Sequence, residues 1–172
     1  MIKSIKVNRV KVMEIMVEIR RAKIKDIDSL YELINIYSNK GIVLPRTKNS
    51  LIQNIFSIFV AVVDDKVVGS ASLTVLDKDL SEIRSLVVDD SMKKAGIGKL
   101  LVDQIKEETE RIGIDKLISL TYQVEFFKKC GFEVTVKDTM PQKVWKDCIN
   151  CPKLHNCDEI AMVYYVNSKV GV

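Results

Sequence analysis

Long apolar runs are missing from this 172-residue sequence. No stretch reaches the roughly 20 residues that a membrane-spanning helix needs. The beginning of the chain also lacks an apolar signal core followed by a small-residue cleavage site. These absences predict a cytoplasmic protein that does not bind a membrane.

Aromatic residues are also scarce, at 6% of the chain, and the basic residues are scattered. The 27 basic and 23 acidic residues give a net charge of +4, which fits either a solvated surface or attraction for an anionic ligand. Nucleic-acid-binding proteins usually cluster their basic residues on one face or along one helix. The composition therefore favours small-molecule substrates over nucleic acid. With 47% hydrophobic and 29% charged residues, the chain is typical of a globular protein.

The spacing of apolar residues predicts one α/β domain, of the α+β type, over residues 17–172. Residues 1–16 are rich in basic side chains and are expected to form an extended N-terminal arm. Alternating and β-branched residues predict a first strand at 17–23. Asp26 is a capping residue for a helix that Gly41 ends.

The rest of the chain continues this alternation of strands and helices. Thr47 is expected to cap a second, short helix, and residues 58–88 predict an antiparallel meander with a tight polar turn. A long amphipathic helix follows and ends at Gly113. Thr121 is expected to cap a further helix that Gly131 ends. Further strands are predicted at 115–120, 132–136 and 158–166.

A glycine-containing segment, KKAGIGKLL at 93–101, joins the meander to the long helix. The start of a helix leaves backbone N–H groups unpaired and carries partial positive charge. Gly96 and Gly98 have no side chains that would keep a ligand from those groups. Positive charge is added by Lys93, Lys94 and Lys99. The segment fits either a phosphate site or a plain loop, and it lacks the spacing of a Walker A or dinucleotide motif.

The meander, Lys93-x-x-Gly96-x-Gly98 at a helix start, and EFFKKCGFE together resemble the GNAT N-acyltransferases over residues 17–136. This resemblance implies a mostly antiparallel mixed sheet with a V-shaped splay, flanked by helices. It also implies acetyl-CoA as the cosubstrate. Lys93 stands where the family usually has Arg or Gln, which keeps the charge but loses the guanidinium fork.

The same resemblance assigns the cofactor-binding residues. The strand that contains Leu86, Val87 and Val88 would splay from its neighbour after Thr121. The pantetheine arm would insert there and pair with the backbone of these three residues. The pyrophosphate would be held by Lys93, Lys94, Ala95, Gly96, Ile97, Gly98 and Lys99. Phe127 would pack near the coenzyme, together with Phe126 and Phe132.

The resemblance also suggests catalytic residues. Glu82 would act as general base, often through water, with a solvated strand-end residue as the alternative. A backbone N–H at 86–88 would meet the oxyanion. Phe127 occupies the position where many members have a Tyr that serves as acid. Tyr122 is the nearest substitute, with a buried structural tyrosine as the alternative.

Four segments look like the short form of amino-acid N-acetyltransferase, the N-acetylglutamate synthase family. They are GIVLPRTKNSL, EIRSLVV, LTYQVEFFKKCGF and MPQKVWKDCINCPKLHNCDEIAM. This resemblance implies acetylation of the α-amine of glutamate, the first step of arginine biosynthesis. The alternatives are a GNAT enzyme for another small amine or a protein N-terminus, and a CoA-binding sensor without catalysis. A homodimer is an open expectation.

A dicarboxylate acceptor needs cationic partners. Arg46, which follows a proline in a loop, can bind a carboxylate through two N–H groups. The resemblance makes it the first candidate. Arg84 in the meander and Lys143 near the last strand are further candidates. For each of the three, the alternative is a solvated surface cation.

Three of the four cysteines lie in an irregular loop at 137–158. Cys148 and Cys151 form a Cys-x-x-Cys pair, and His155 and Cys157 could complete a tetrahedral zinc site. Reduced structural cysteines or a redox-labile pair are the alternatives. Cys130, at a helix end, is expected to be a packing residue.

Overall fold

The computed structural model describes residues 2–6, 14–137 and 156–166. Within them the strands are β1 Ile2–Lys6, β2 Glu14–Arg21, β3 Ile58–Val63, β4 Lys66–Asp77, β5 Leu80–Val88, β6 Lys116–Thr121, β7 Glu133–Val134 and β8 Ile160–Tyr165. The α-helices are α1 Ile27–Asn39, α2 Lys48–Gln53, α3 Ile97–Arg111 and α4 Val124–Lys129. The chain divides into two compact units. The first comprises Met1–Leu73 with Arg84–Ile105, and the second comprises Thr74–Ile83 with Lys106–Val172.

In the first unit the strands follow one another in the order β1-β2-β3-β4-β5. The tight turn between β3 and β4 is confirmed, with φ of 48° at Asp64 and 61° at Asp65. Two successive positive φ angles are what a two-residue hairpin turn needs to match the strand twist. The basic arm contains a strand that the sequence did not predict, because β1 pairs antiparallel with β2 from Ile2↔Glu18 to Lys6↔Glu14.

Helix α1 covers one face of the first unit with the apolar residues that its sequence spacing predicts. Leu30 and Ile34 are fully buried and pack with Val60 of β3 in one hydrophobic cluster. Gly41 adopts φ +69° and ends the helix, as predicted. Thr47 caps α2 by accepting a hydrogen bond from the backbone N–H of Ser50, also as predicted.

Asp26 directly precedes α1, but its side chain does not cap the helix as predicted. The carboxylate instead accepts two hydrogen bonds from the guanidinium of Arg20, at 2.6 and 3.0 Å, and one from the backbone N–H of Lys23 at 2.7 Å. The hydrogen bond from Arg20 is the main cause that lowers the pKa of Asp26. This buried pair ties α1 to β2, because Arg20 is a strand residue.

We expect Asp26→Ala to destabilise the protein by about 3 kcal/mol, since it leaves the Arg20 guanidinium without its buried partner. The lowered pKa means that this stabilisation is present above the unfolded-state pKa of about 4 and is lost as the pH falls through the folded-state value. Urea unfolding at pH 7 and pH 3 measures both effects. Asp28→Ala is the control, since its exposed pair with Lys48 should contribute under about 1 kcal/mol. Equal losses in both variants would contradict the expectation.

Gly69 in β4 allows α3 to pack closely on the sheet. A Cβ at this position would lie 3.1 Å from Leu101 Cδ1, 3.2 Å from the Val87 carbonyl and 3.3 Å from Ile97 Cγ2. These distances are tighter than ordinary side-chain contacts, so a larger residue would push α3 outward. Gly69 therefore helps to place the beginning of α3, where the glycine loop ends.

In the second unit the strand order is β5-β6-β8-β7. The parallel ladder joins Leu80–Glu82 to Lys116–Ile118 and ends well before either strand does, as a splay requires. Strand β8 runs antiparallel to both β6 and β7. The predicted class, an α+β fold with a mostly antiparallel mixed sheet and flanking helices, is confirmed.

Two local predictions in the second unit need correction. Thr121 is the last residue of β6 and does not cap α4. Its hydroxyl accepts a hydrogen bond from the N–H of Gln123, which is the residue that precedes the helix. The strand predicted at 132–136 shortens to β7, in which Glu133 and Val134 pair with β8. One further bond follows, from the N–H of Thr135 to the carbonyl of Ala161. In the described part of the chain, no helix is long and apolar enough to cross a membrane.

Candidate active site

The loop between β5 and α3 is shaped by side-chain bonds and by two left-handed residues. Asp89 accepts hydrogen bonds from the hydroxyl and the backbone N–H of Ser91, which lower the pKa of this carboxyl. Lys94 and Gly96 then adopt φ of +70° and +80°. Only glycine adopts such angles without a steric penalty, which gives Gly96 a conformational reason to be present. Helix α3 begins at Ile97, directly after this glycine.

The start of α3 has the geometry of an anion site. A Cβ on Gly96 would meet nothing within 4 Å, so the space beside its backbone is open. The first N–H groups of any α-helix have no carbonyl within the helix to bond, and the helix dipole adds positive potential there. Lys99 stands in this first turn and pairs with Asp103 at 2.7 Å. The open space and the positive potential suit a phosphate group, and phosphate binding by residues 93–99 stays a prediction.

Asp90 accepts hydrogen bonds from this loop and from the end of α1. It forms an ion pair with Lys93, lies 3.5 Å from Lys40 Nζ, and accepts from the hydroxyl of Tyr37 at 2.8 Å. The bonds from Lys93 and Tyr37 are the main causes that lower the pKa of Asp90 to about 2. Burial and the Asp90 carboxylate raise the pKa of Tyr37. Its hydroxyl also reaches the carbonyl of Val88, the last residue of β5.

This arrangement changes the role that the sequence suggests for Lys93. Its ammonium is already paired with Asp90, three residues earlier, so a phosphate must compete with that carboxylate. The sequence contained one signal for this pairing, since an acidic residue three positions before a lysine is a common ion-pair spacing. The contact from Tyr37 has no such local signal, because 53 residues separate it from Asp90.

We expect Asp90→Asn to tighten CoA binding by about threefold, since exposed pairs contribute roughly 0.2–1 kcal/mol. The substitution removes the competing charge from Lys93 but keeps an oxygen that can accept from Tyr37. Calorimetric titration with CoA at low salt measures the change. Glu125→Gln is a matched control, because Glu125 forms an exposed pair with Lys128 at the same spacing. The effect should vanish when Lys93→Ala is added; tightening that survives there would rule out competition for Lys93.

Arg46 and Ser85 meet in the first unit. The Nε of Arg46 lies 3.4 Å from the hydroxyl of Ser85 in β5. Ser85 has φ +50°, which is uncommon for a residue other than glycine inside a strand. The hydroxyl contact orients the plane of a guanidinium that offers five N–H donors. The structure thus places Arg46 beside the strand whose next residues, 86–88, are the predicted pantetheine partners.

Ser85 is the site residue that the sequence reasoning missed. A positive φ at a serine has no sequence signal, because serine adopts extended backbone in nearly all strands. Arg84, the other acceptor candidate that lies in the described chain, directly precedes Ser85 and is half-buried. Its role as a ligand of the acceptor stays a prediction. Lys143 lies outside the described residues.

The catalytic candidates Glu82 and Tyr122 belong to the second unit. Glu82 is only 8% exposed, so the alternative of a solvated strand-end residue is wrong. A buried carboxylate is shielded from bulk water, which is the usual environment of a general base. Tyr122 is 39% exposed, so the alternative of a buried structural tyrosine is also wrong. Its hydroxyl donates to the carboxylate of Asp158 at 2.7 Å.

Phe127 lies in an aromatic cluster of the second unit. Its ring meets Phe126 and Phe132 edge to face, with centroids 5.3 and 5.0 Å apart. Only 4% of Phe127 is exposed. Contact of this ring with a coenzyme therefore stays a prediction, since the described neighbours are all apolar rings. Cys130 is buried, as expected of a packing residue.

The proposed zinc ligands Cys148, Cys151 and His155 lie outside the described residues. Cys157 is described, and its Sγ lies 3.4 Å from the ammonium of Lys137. Among the residues that the structure describes, no group of three or more His, Cys, Asp or Glu side chains could hold a metal ion. The zinc site stays a prediction, and elemental analysis of protein purified without added metal tests it.

Comparison with known proteins identifies the class. A family model for the acetyltransferase (GNAT) domain matches residues 54–134. An N-acetyltransferase of Chlorobaculum tepidum, itself uncharacterized, is 37% identical over 145 residues, which are 84% of this chain and 94% of that protein. The chain belongs to the GNAT acetyltransferases.

Other relatives of the chain are named as amino-acid acetyltransferases. An amino-acid acetyltransferase of Mycobacterium tuberculosis is 34% identical over 117 residues, which are 66% of this chain and 67% of that protein. N-acetylglutamate synthase from Neisseria gonorrhoeae, solved with coenzyme A and N-acetyl-glutamate, superposes with a TM-score of 0.80 at 27% identity. That match covers 90% of this chain but 36% of the Neisseria chain. A Mycobacterium tuberculosis protein solved with CoA gives a TM-score of 0.76, also at 27% identity, over 86% of this chain and 98% of that one.

Proposed function

We propose that the protein transfers the acetyl group of acetyl-CoA to the α-amine of L-glutamate, the first step of arginine biosynthesis. The observation that carries this proposal is Arg46, held by Ser85 beside residues 86–88 of β5. A guanidinium in that place suits a carboxylate acceptor better than an uncharged amine. The ligands of the Neisseria relative, coenzyme A and N-acetyl-glutamate, support the same pair of substrates.

The donor would bind along β5 and the loop that follows it. The backbone of Leu86, Val87 and Val88 would pair with the pantetheine arm, and residues 93–99 would hold the pyrophosphate at the start of α3. The open space beside Gly96 supports this placement, because a phosphate must approach the backbone closely to reach its N–H groups.

The transfer itself needs no covalent enzyme intermediate. The amine nitrogen forms a bond to the thioester carbon, the carbon–sulfur bond breaks, and the coenzyme leaves as a thiolate that takes up a proton. Glu82 would receive the proton of the attacking amine, directly or through water. A backbone N–H of β5 would stabilise the oxyanion. Tyr122 would protonate the thiolate after its hydroxyl turns away from the Asp158 carboxylate, to which it donates in the structure.

The test is a thiol-release assay with acetyl-CoA and a panel of amino acids. The panel compares acceptors with and without a side-chain carboxylate. Glutamate should give the highest kcat/KM. Glutamine has the same shape without the side-chain charge, and it should be at least about 10-fold poorer, since hydrogen bonds to charged groups contribute roughly 1.5–3 kcal/mol. Equal turnover of both would overturn the assignment of glutamate as acceptor.

Two other outcomes favour the alternative functions. Turnover of a different amine or of a peptide N-terminus would identify another GNAT acetyltransferase. CoA binding by calorimetry, without turnover of any amine, would favour a sensor. The absence of a tyrosine hydroxyl at Phe127 is the observation that keeps the sensor open, because a family acid is missing there.

A further inference from the structure

Two buried serines of β4 bond the backbone of β5 where it is distorted. The hydroxyl of Ser70 donates to the carbonyl of Ser85 at 3.0 Å, and the hydroxyl of Ser72 donates to the carbonyl of Arg84 at 3.1 Å. Ser70 is 0% exposed and Ser72 is 7% exposed. Ser85 has a positive φ, so that Arg84 and Ser85 form a kink in β5, the Arg84–Ser85 kink.

The kink interrupts the normal alternation of a strand. In a regular strand successive peptide groups point to opposite sides, so two consecutive carbonyls do not meet the same neighbour. Here both carbonyls meet hydroxyls of β4, from two serines that lie two residues apart and so share one side of that strand. The left-handed conformation of Ser85 turns its carbonyl to the same side as the carbonyl of Arg84.

The two serine bonds also fix the direction of two N–H groups. In a planar trans peptide, the carbonyl of one residue and the N–H of the next point in opposite directions. Because both carbonyls of the kink face the serines, the N–H groups of Ser85 and Leu86 both face away from them. Two successive N–H groups with a shared direction form the kind of concavity that binds an anion or an oxyanion.

We propose that Ser70 and Ser72 are positioning residues for acetyl transfer, which hold the Arg84–Ser85 kink so that its two N–H groups meet the thioester oxygen. This inference rests on the proposed use of β5 by acetyl-CoA. Neither serine touches a substrate. Each donates a hydrogen bond to a carbonyl of the kink, and each thereby stabilises the strained backbone conformation.

The test compares Ser70→Ala and Ser72→Ala with Ser81→Ala. Ser81 is a matched control on β5, since it is 0% exposed and its hydroxyl also donates to a backbone carbonyl, that of Lys116, at 3.2 Å. All three variants should lose a similar amount of stability in urea. Only the Ser70 and Ser72 variants should lower kcat, by about 10-fold each. Removal of one oxyanion donor costs about 100- to 1,000-fold in kcat, and the loss here should be smaller because the N–H donors would be displaced and not removed. Ser72→Thr, which keeps a hydroxyl, should restore most of kcat.

A binding measurement gives a second readout that needs no acceptor. The Kd values of acetyl-CoA and CoA are compared by calorimetry for each variant. The Ser70 and Ser72 variants should weaken acetyl-CoA binding by about threefold more than CoA binding, since only acetyl-CoA has the carbonyl oxygen that the kink would meet. A kcat loss in Ser81→Ala equal to the others, or an unchanged ratio of the two Kd values, would overturn the proposal.

The two readouts also separate this inference from the proposed acceptor. If glutamate is not acetylated but another amine is, the proposed acceptor is wrong and the kcat comparison is made with that amine. If no amine is turned over, the proposed activity is wrong, and the ratio of Kd values still decides whether the serines act on thioester recognition.

Discussion

Gly96→Glu should abolish CoA binding, which we expect to weaken by about 100-fold or more. The substitution forces a side chain onto a residue with φ +80°, at roughly 1–2 kcal/mol for a non-glycine residue. It also places a carboxylate in the open space where the pyrophosphate should lie, so that like charges repel. Calorimetric titration with CoA, or protection of the loop from proteolysis by CoA, measures the loss.

A matched control separates the ligand effect from backbone strain. Gly113, just after the end of α3, has φ +77° and equally open surroundings, so Gly113→Glu carries the same strain and the same added charge. It should lower stability and leave the Kd of CoA unchanged. Gly96→Asn, which tolerates a left-handed conformation, should bind CoA with an intermediate Kd. Retained CoA binding in Gly96→Glu would place the phosphate site elsewhere.

Arg46→Ala should raise the KM for glutamate by about 50-fold and leave acetyl-CoA binding nearly unchanged. Charge-assisted hydrogen bonds to a carboxylate contribute roughly 1.5–3 kcal/mol, and the guanidinium is oriented for them by Ser85. Arg46→Lys should recover little of the loss, because an ammonium lacks the planar fork. Steady-state kinetics with each substrate varied in turn gives both constants.

The control for Arg46 is its basic neighbour two residues on. Lys48 is exposed and pairs with Asp28 at 2.8 Å. Lys48→Ala therefore removes one positive charge close to Arg46 in the sequence. Its kinetic constants for glutamate should stay within about twofold of the wild type. If Arg46→Ala raises the KM of both substrates equally, the residue supports the fold of the site and does not recognise the acceptor.

The parts of the fold that were predictable are those that neighbouring residues along the chain decide. Gly41, Thr47 and the Asp64–Asp65 turn are correct because caps and tight turns depend on the φ angles and hydrogen bonds of a few consecutive residues. The glycine loop is of the same kind, since two glycines, three lysines and a helix start lie within seven residues. Asp26 shows the limit of local patterns. They predict that its carboxylate caps α1, but the carboxylate binds Arg20 of β2 instead.

The candidate site could be predicted in its residue types more than in its contacts. Arg46 and the segment 86–88 came from the resemblance to one family, and the structure adds that Ser85 holds the arginine. Glu82 and Tyr122 were each given an alternative environment, and both alternatives were wrong, one residue being buried and the other exposed. Burial depends on which elements pack over a residue, and the sequence around it does not record that.

By itself, the sequence determined the order of strands and helices from β2 onward, the left-handed glycines and the charge at the start of α3, because these follow from local sterics and hydrophobic periodicity. Only the tertiary structure decided where the hydrogen bonds go between segments far apart in the chain. It pairs Asp90 with Tyr37 across 53 residues, and it sets Ser70 and Ser72 against the carbonyls of the kink. Buried polar groups must find partners, and which partners they find depends on the strands and helices that the fold makes adjacent.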